Sequence, residues 1–180
     1  TVREVRWDGD PRDVEALAAA GHDAVWVGDI GDNREVRDSV SITRVDLTGG
    51  EQDASYDLDY PDGAHDAEAL VTHPLTGQVS VITKGAFAGS VMQAPLELSQ
   101  AEANTLTEVG RTPGIVTDAE FLPGGGAIEF VPLGLFNRFD LAPADGSNCG
   151  EYRIVFGMQS RTPSIAGRAL IIFEGALPNP

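Results

Sequence analysis

Asp66-Ala67-Glu68-Ala69-Leu70 is the stretch on which the reading of this chain turns, because its pattern occurs three times. Asp13-Val14-Glu15-Ala16-Leu17 lies 53 residues before it and Asp118-Ala119-Glu120-Phe121-Leu122 lies 52 residues after it. All three read Asp-x-Glu-apolar-Leu, and each precedes a short apolar, β-prone run: Ala24–Val27, Val79–Ile82 and Ala127–Phe130. A recurring unit of about 50 residues with about four short strands is the pattern of a β-propeller blade. The chain is therefore expected to be all-β, with partial or small propeller-like blades over residues 1–126 and a short β-rich C-terminal module over 127–180.

The sequence between the repeats supports strands. Ser39–Leu47 alternates polar and apolar side chains, the period of a half-buried strand, and Thr48-Gly49-Gly50 closes it. Pro61-Asp62-Gly63 and Pro74-Leu75-Thr76-Gly77 are turn signals; Ser90–Gln93 and Thr105–Val109 read as further short strands. Two helices compete. Asp10-Pro11 resembles an N-cap leading into 13–20, and Ser99 with Glu102 resembles a capping box. The repeat argues against the first, whose counterparts lie among turns and β-branched residues; the second reads as at most one helical turn.

Charge narrows the partners. The 180 residues carry 28 acids against 12 bases, a net charge of −16, and residues 1–70 alone carry −12. A nucleic-acid backbone and an anionic membrane surface both repel such a chain, which leaves cations or cation-held substrates. No apolar run approaches the roughly 18 residues of a membrane span, so membrane insertion is not expected. Cys149 is the only cysteine and cannot form an internal disulfide.

On a strand, residues two apart face the same way, so each Asp-x-Glu would project as a pair. Three equivalent pairs around one axis (Asp13 and Glu15, Asp66 and Glu68, Asp118 and Glu120) would converge on one channel. Carboxylates that close need a cation or hydrogen bonds, and oxygen ligands without His or Cys favour Ca²⁺. Gly28-Asp29-Ile30-Gly31-Asp32-Asn33-Arg34 adds Asp29, Asp32 and Asn33 as candidate metal ligands. The alternative for all these acids is that they accept backbone N–H bonds in turns. His65, Arg34 and Lys84, the only lysine, are the candidate contacts for an anionic substrate group.

Trp26–Arg34, Tyr60–Leu70 and Val81–Lys84 together resemble a family of bacterial, exported β-propeller proteins related to esterase-like and phytase-like propellers. The resemblance covers residues 1–126 and implies an extracellular or periplasmic place, acidic motifs near a channel mouth and, for phytase-like relatives, Ca²⁺-assisted phosphate-ester hydrolysis. After Phe121-Leu122-Pro123-Gly124-Gly125-Gly126 the character changes. Asn137-Arg138-Phe139-Asp140-Leu141, Cys149-Gly150-Glu151-Tyr152-Arg153 and the ending Leu177-Pro178-Asn179-Pro180 resemble a separate group of secreted bacterial proteins without an assigned activity. The join is expected near Gly124–Leu133.

These features give three functional expectations. The first is an extracellular Ca²⁺-binding propeller-type binding or scaffold protein without catalysis of its own. The second is a Ca²⁺-dependent ester or phosphate-ester hydrolase; no Gly-x-Ser-x-Gly occurs to support a serine nucleophile, and no catalytic residue is named. The third is a subunit that associates with itself, or with another chain, through open sheet edges.

Overall fold

A computed structural model describes residues 5, 7, 10–49, 53–113, 115–122, 125–132, 151–156 and 169–174. The described residues form strands, turns and loops, with no helix. Cys149 lies outside them, as do Gly124 and Leu133, the two ends of the expected join.

The first sheet is an up-and-down meander of β1 (Ala16–Ala19), β2 (Ala24–Asp29), β3 (Val40–Asp46) and β4 (Ala54–Asp59). The second runs β5 (Ala67–Thr72), β6 (Val79–Thr83), β7 (Ala88–Gln93), then β9 (Thr107–Pro113), every pair antiparallel. On the way to β9 the chain crosses to the first sheet. There β8 (Asn104–Thr105) pairs in parallel with Leu58 and Asp59 of β4. In the third sheet β10 (Val116–Phe121) and β11 (Ala127–Pro132) are joined by β13 (Ala169–Glu174) and, outermost, β12 (Glu151–Phe156). The boundary expected between residues 126 and 127 thus falls within the β10–β11 hairpin, and the two C-terminal strands extend that hairpin's sheet.

The alternation in the sequence decides which face each sheet buries. Ile42 and Leu58 of the first sheet pack against Leu70, Val81 and Met92 of the second in one core. Ala69, Val71, Ile82 and Val91, on the second sheet's other face, pack against Val116, Ile128 and Phe130 of the third. The middle sheet is therefore covered on both faces, and all five residues of β6 are buried. Its neighbours each contribute one face to these cores. This is why the equivalent leucines of the first two repeats differ: Leu70 is 2% exposed and Leu17 68%.

The first strands of the three sheets stand side by side, with β5 between β1 and β10. The first two repeats are structurally equivalent: Ala16 pairs with Gly28 and Ala69 with Ile82, partners 12 and 13 apart in sequence. The third is not. Phe121 pairs with Ile128, only 7 residues on, so its Asp-x-Glu lies three residues nearer the hairpin turn. Pairing is locally irregular at Val116/Asp118 in β10 and at Ala67/Ala69 in β5.

The segment 13–20 contains β1 and no helix, as the repeat argues. Ser99 is no helix cap either. Its hydroxyl accepts the N–H groups of Ala101 and Glu102 at 3.2 Å each, while its own N–H donates to Asn104 Oδ1 at 2.7 Å, closing a compact turn.

Candidate functional site

The densest polar region lies at the ends of β2 and β6 and the starts of β1 and β5. It is built from the loop that carries the chain from β2 to β3. Asp29 is the last residue of β2, and its carboxylate accepts from Arg37 through both oxygens at 3.0 Å. Arg37 also donates to Gly31 O at 2.9 Å and Ser39 O at 3.2 Å, so one guanidinium closes the loop. Asp29 Oδ1 accepts the Asp13 N–H at 2.7 Å, which ties the loop to the start of β1. Burial works to raise the Asp29 pKa, but the Arg37 hydrogen bond and the backbone donors outweigh it and hold the carboxyl below its usual value.

Asp32 organises the bend. Its Oδ2 accepts the N–H groups of Val36 and Arg37 at 2.7 Å each, and its carbonyl accepts from Glu35 N–H at 2.7 Å. Glu35 sits at a φ of 51°, the left-handed region that costs an L-residue about 1 kcal/mol or more. Gly31 is needed for a different reason: a Cβ there would lie 2.6 Å from the Asp13 carboxyl group. Asn33 and Arg34, both expected to act at a site, are exposed on the outside of this bend.

The second half of the site comes from β5 and β6. Asp66 is 6% exposed, and its Oδ1 accepts the Asp32 N–H at 2.8 Å, linking the first sheet's loop to the second sheet. Lys84, just after β6, donates to Glu68 and lies 3.6 Å from Asp66. The Glu68 hydrogen bond raises the lysine pKa against the opposing effect of burial. Glu15 approaches from β1: burial pushes its carboxyl up, and the charges of Glu68, Asp13 and Asp66 add to that. Asp66 and Glu68 thus share one ammonium, and Asp13 and Glu15 stand near enough to add to the negative charge around it.

His65 bonds Asp62 at 2.9 Å and meets the Tyr60 ring edge-on at 5.0 Å, which places it in an exposed ion pair of its own loop. That bond holds the Asp62 carboxyl below its usual value. Tyr60 Oη is enclosed and has no hydrogen-bond partner among the described residues; burial first, and then the Asp66 charge, raise its pKa.

The expected convergence of three acidic pairs is therefore a convergence of two. Asp118 and Glu120 are exposed within β10, and Asp118 Oδ1 accepts only the next residue's N–H, at 2.8 Å. They line the opposite stretch of the first strands, beside the turns that carry His22 and His73. Arg37 and Tyr60 take part in the site without having been singled out in the sequence. Arg37 carries no motif, and its position two residues before the polar–apolar alternation of β3 is the one available signal.

Among the described residues no group of three or more His, Cys, Asp or Glu side chains is arranged to hold a metal ion. The acids nearest such an arrangement accept instead from Arg37, Lys84 and backbone N–H groups. No helix among the described residues is long and apolar enough to cross a membrane. Comparison with protein-family models finds no match, and comparison with curated proteins finds no relative.

Proposed function

We propose that the chain is a binding or scaffold module of β-propeller type, exported from the cell and without catalysis of its own. The observation that carries this reading is the use of the acidic motifs. Asp29, Asp32, Asp66 and Glu68 spend their oxygens on Arg37, Lys84 and backbone donors that join the first sheet to the second. Three stacked sheets of five, four and four strands, with their first strands side by side, support the blade reading. Groups committed in this way hold a scaffold together; they are not poised to activate a water or receive a leaving group.

One observation favours a second reading. Asp66 and Glu68 share a single ammonium, and with Asp13 and Glu15 interacting beside them the site keeps a local excess of negative charge that a Ca²⁺ ion beside Lys84 would relieve. Such an ion would position an ester as in the hydrolase alternative. Calorimetric titration with Ca²⁺, on the unmodified chain and on Asp66→Asn/Glu68→Gln, decides between them. The scaffold reading expects no binding at this cluster and no hydrolysis of model phosphate or acetyl esters. Binding lost in the double variant supports the ion, and Ca²⁺-dependent hydrolysis overturns the non-catalytic reading. Association through sheet edges remains the third alternative, and light scattering tests it: a monodisperse monomer removes it.

A further inference from the structure

Pro61-Asp62-Gly63 is the exposed turn in the connection from β4 to β5, and it carries a reactive pair that the scaffold does not use. In an Asp-Gly pair the backbone nitrogen of glycine can attack the aspartate carboxyl group, because glycine has no Cβ to obstruct the approach. Of the three Asp-Gly pairs in the sequence, Asp62–Gly63 is the one within the described residues. The Asp62 side chain is 63% exposed, and a Cβ built on Gly63 would meet nothing within 4 Å. The attack is therefore sterically open. Opposing it, Asp62 Oδ1 accepts from His65 Nε2 at 2.9 Å, and the His65 ring is itself held edge-on to Tyr60 at 5.0 Å. That bond ties the carboxylate to a residue beyond Gly63. It also holds Asp62 below its usual pKa, which keeps the group in its ionised and less electrophilic form.

We propose that Asp62–Gly63 is a site of self-modification, at which the chain isomerises to a β-linked aspartate, and that His65 is the positioning residue that holds the reaction back. The Gly63 nitrogen attacks Asp62 Cγ and forms the C–N bond of a five-membered succinimide. The amide proton and the carboxyl hydroxyl leave together as water. A water molecule then adds to one of the two ring carbonyls and breaks that carbonyl's C–N bond. Opening at the original peptide carbonyl routes the main chain through Cβ and Cγ and frees the former peptide carbonyl as the carboxylate. Charge and mass are conserved, and the main chain gains one methylene. The added length falls between Tyr60 and Asp66, in the connection whose Asp66 accepts the Asp32 N–H, so the change is felt where the first sheet's loop joins the second sheet.

The test is prolonged incubation of the full chain at neutral pH, followed by proteolysis and electron-transfer fragmentation, which assigns β-linked aspartate to its position. His65→Ala is expected to form it at Asp62 about two- to five-fold faster than the parent, the range that loss of an exposed ion pair supplies. His65→Gln, which keeps an N–H donor, is expected to fall between the two. Asp62→Asn tests the turn itself. Its side-chain nitrogen leaves as ammonia, and a turn that allows ring closure converts it to aspartate and β-linked aspartate faster than the parent isomerises. Unchanged circular dichroism melts confirm that each variant folds. An amide that stays intact in Asp62→Asn overturns the site. A His65→Ala rate at Asp62 no higher than the parent's overturns the role of His65. So does a rise that extends equally to the other aspartates, which is general loosening, or a His65→Gln rate equal to that of His65→Ala.

Discussion

Arg37→Met is the most informative single change. Methionine keeps most of the apolar stem but removes two bonds to Asp29 at 3.0 Å each, one to Gly31 O at 2.9 Å and one to Ser39 O at 3.2 Å. Arg37 and Asp29 are each only 8% exposed, so water does not replace the lost partner. Breaking a buried pair by deleting one member costs about 3–5 kcal/mol, most of it from the charge left behind. The sign of the pH dependence follows from Asp29. With Arg37 present its folded pKa is below the unfolded value, so its contribution is full above the unfolded pKa and is lost as pH falls through the folded one. Without Arg37 burial prevails and the folded pKa rises above the unfolded one, so the variant loses stability as pH rises through that window. Urea unfolding at pH 7 and near pH 4 is the assay: the gap between parent and variant should be widest at pH 7 and shrink in acid. Asp29→Asn/Arg37→Met should recover part of the loss, because the uncharged amide can still accept the Asp13 N–H through its oxygen. A cost below about 1 kcal/mol, within the range of an exposed ion pair, or a gap independent of pH, would refute the reasoning.

Four further outcomes are expected. Leu70→Ala should cost about 2–5 kcal/mol while Leu17→Ala, at the equivalent repeat position, costs about 0.5 kcal/mol or less; equal costs in urea melts would contradict the stacking order. Gly31→Ala should destabilise by about 1–3 kcal/mol, since a Cβ would press on the Asp13 carboxyl group and its Cβ, with thermal melting as the readout. Lys84→Met should lower stability at pH 7 and shift the optimum to lower pH, where protonation of Glu15, whose carboxyl is already pushed up, relieves its repulsion with Glu68; an unshifted stability–pH curve would count against Lys84 as the balancing charge. In the unmodified chain the Lys84 contribution, from a folded pKa raised by Glu68, should be full below the unfolded pKa near 10.5 and fade only above it, read as a fall in melting temperature in strong alkali that Lys84→Met lacks.

The sheets were legible because their signals are local. Ser39–Leu47 alternates cleanly and becomes β3, and Val79–Thr83 becomes the fully buried β6. The third repeat misled in a specific way. Asp118-Ala119-Glu120 matches its counterparts in composition, but the chain turns three residues sooner after it, and where the turn falls sets register independently of the strand's own residues. Arg34 stood out as part of a motif, yet Arg37 is the residue buried against Asp29. A motif records which residues are adjacent in the chain, whereas burial depends on where the loop returns to the sheet. β4 alternates as well, Ala54, Tyr56 and Leu58 with Ser55, Asp57 and Asp59, but aspartate disfavours strands and masks the signal until pairing with β3 reveals it. Ser99 accepts two backbone N–H groups as a capping residue does, but a turn uses the same chemistry.

The two-residue strand β8 has a mechanical consequence. It leaves the second sheet between β7 and β9, pairs with β4, and returns, with Asn104 donating to Asp57 O and Ser99 O, and Leu106 N–H donating to Asp59 O. It acts as a stitch through two layers. A stitch cannot form until both layers exist, and once formed it forbids either from peeling away alone. The first two sheets should therefore melt as one cooperative unit, and a chain cut between β4 and β5 should yield fragments that reassociate rather than fold apart.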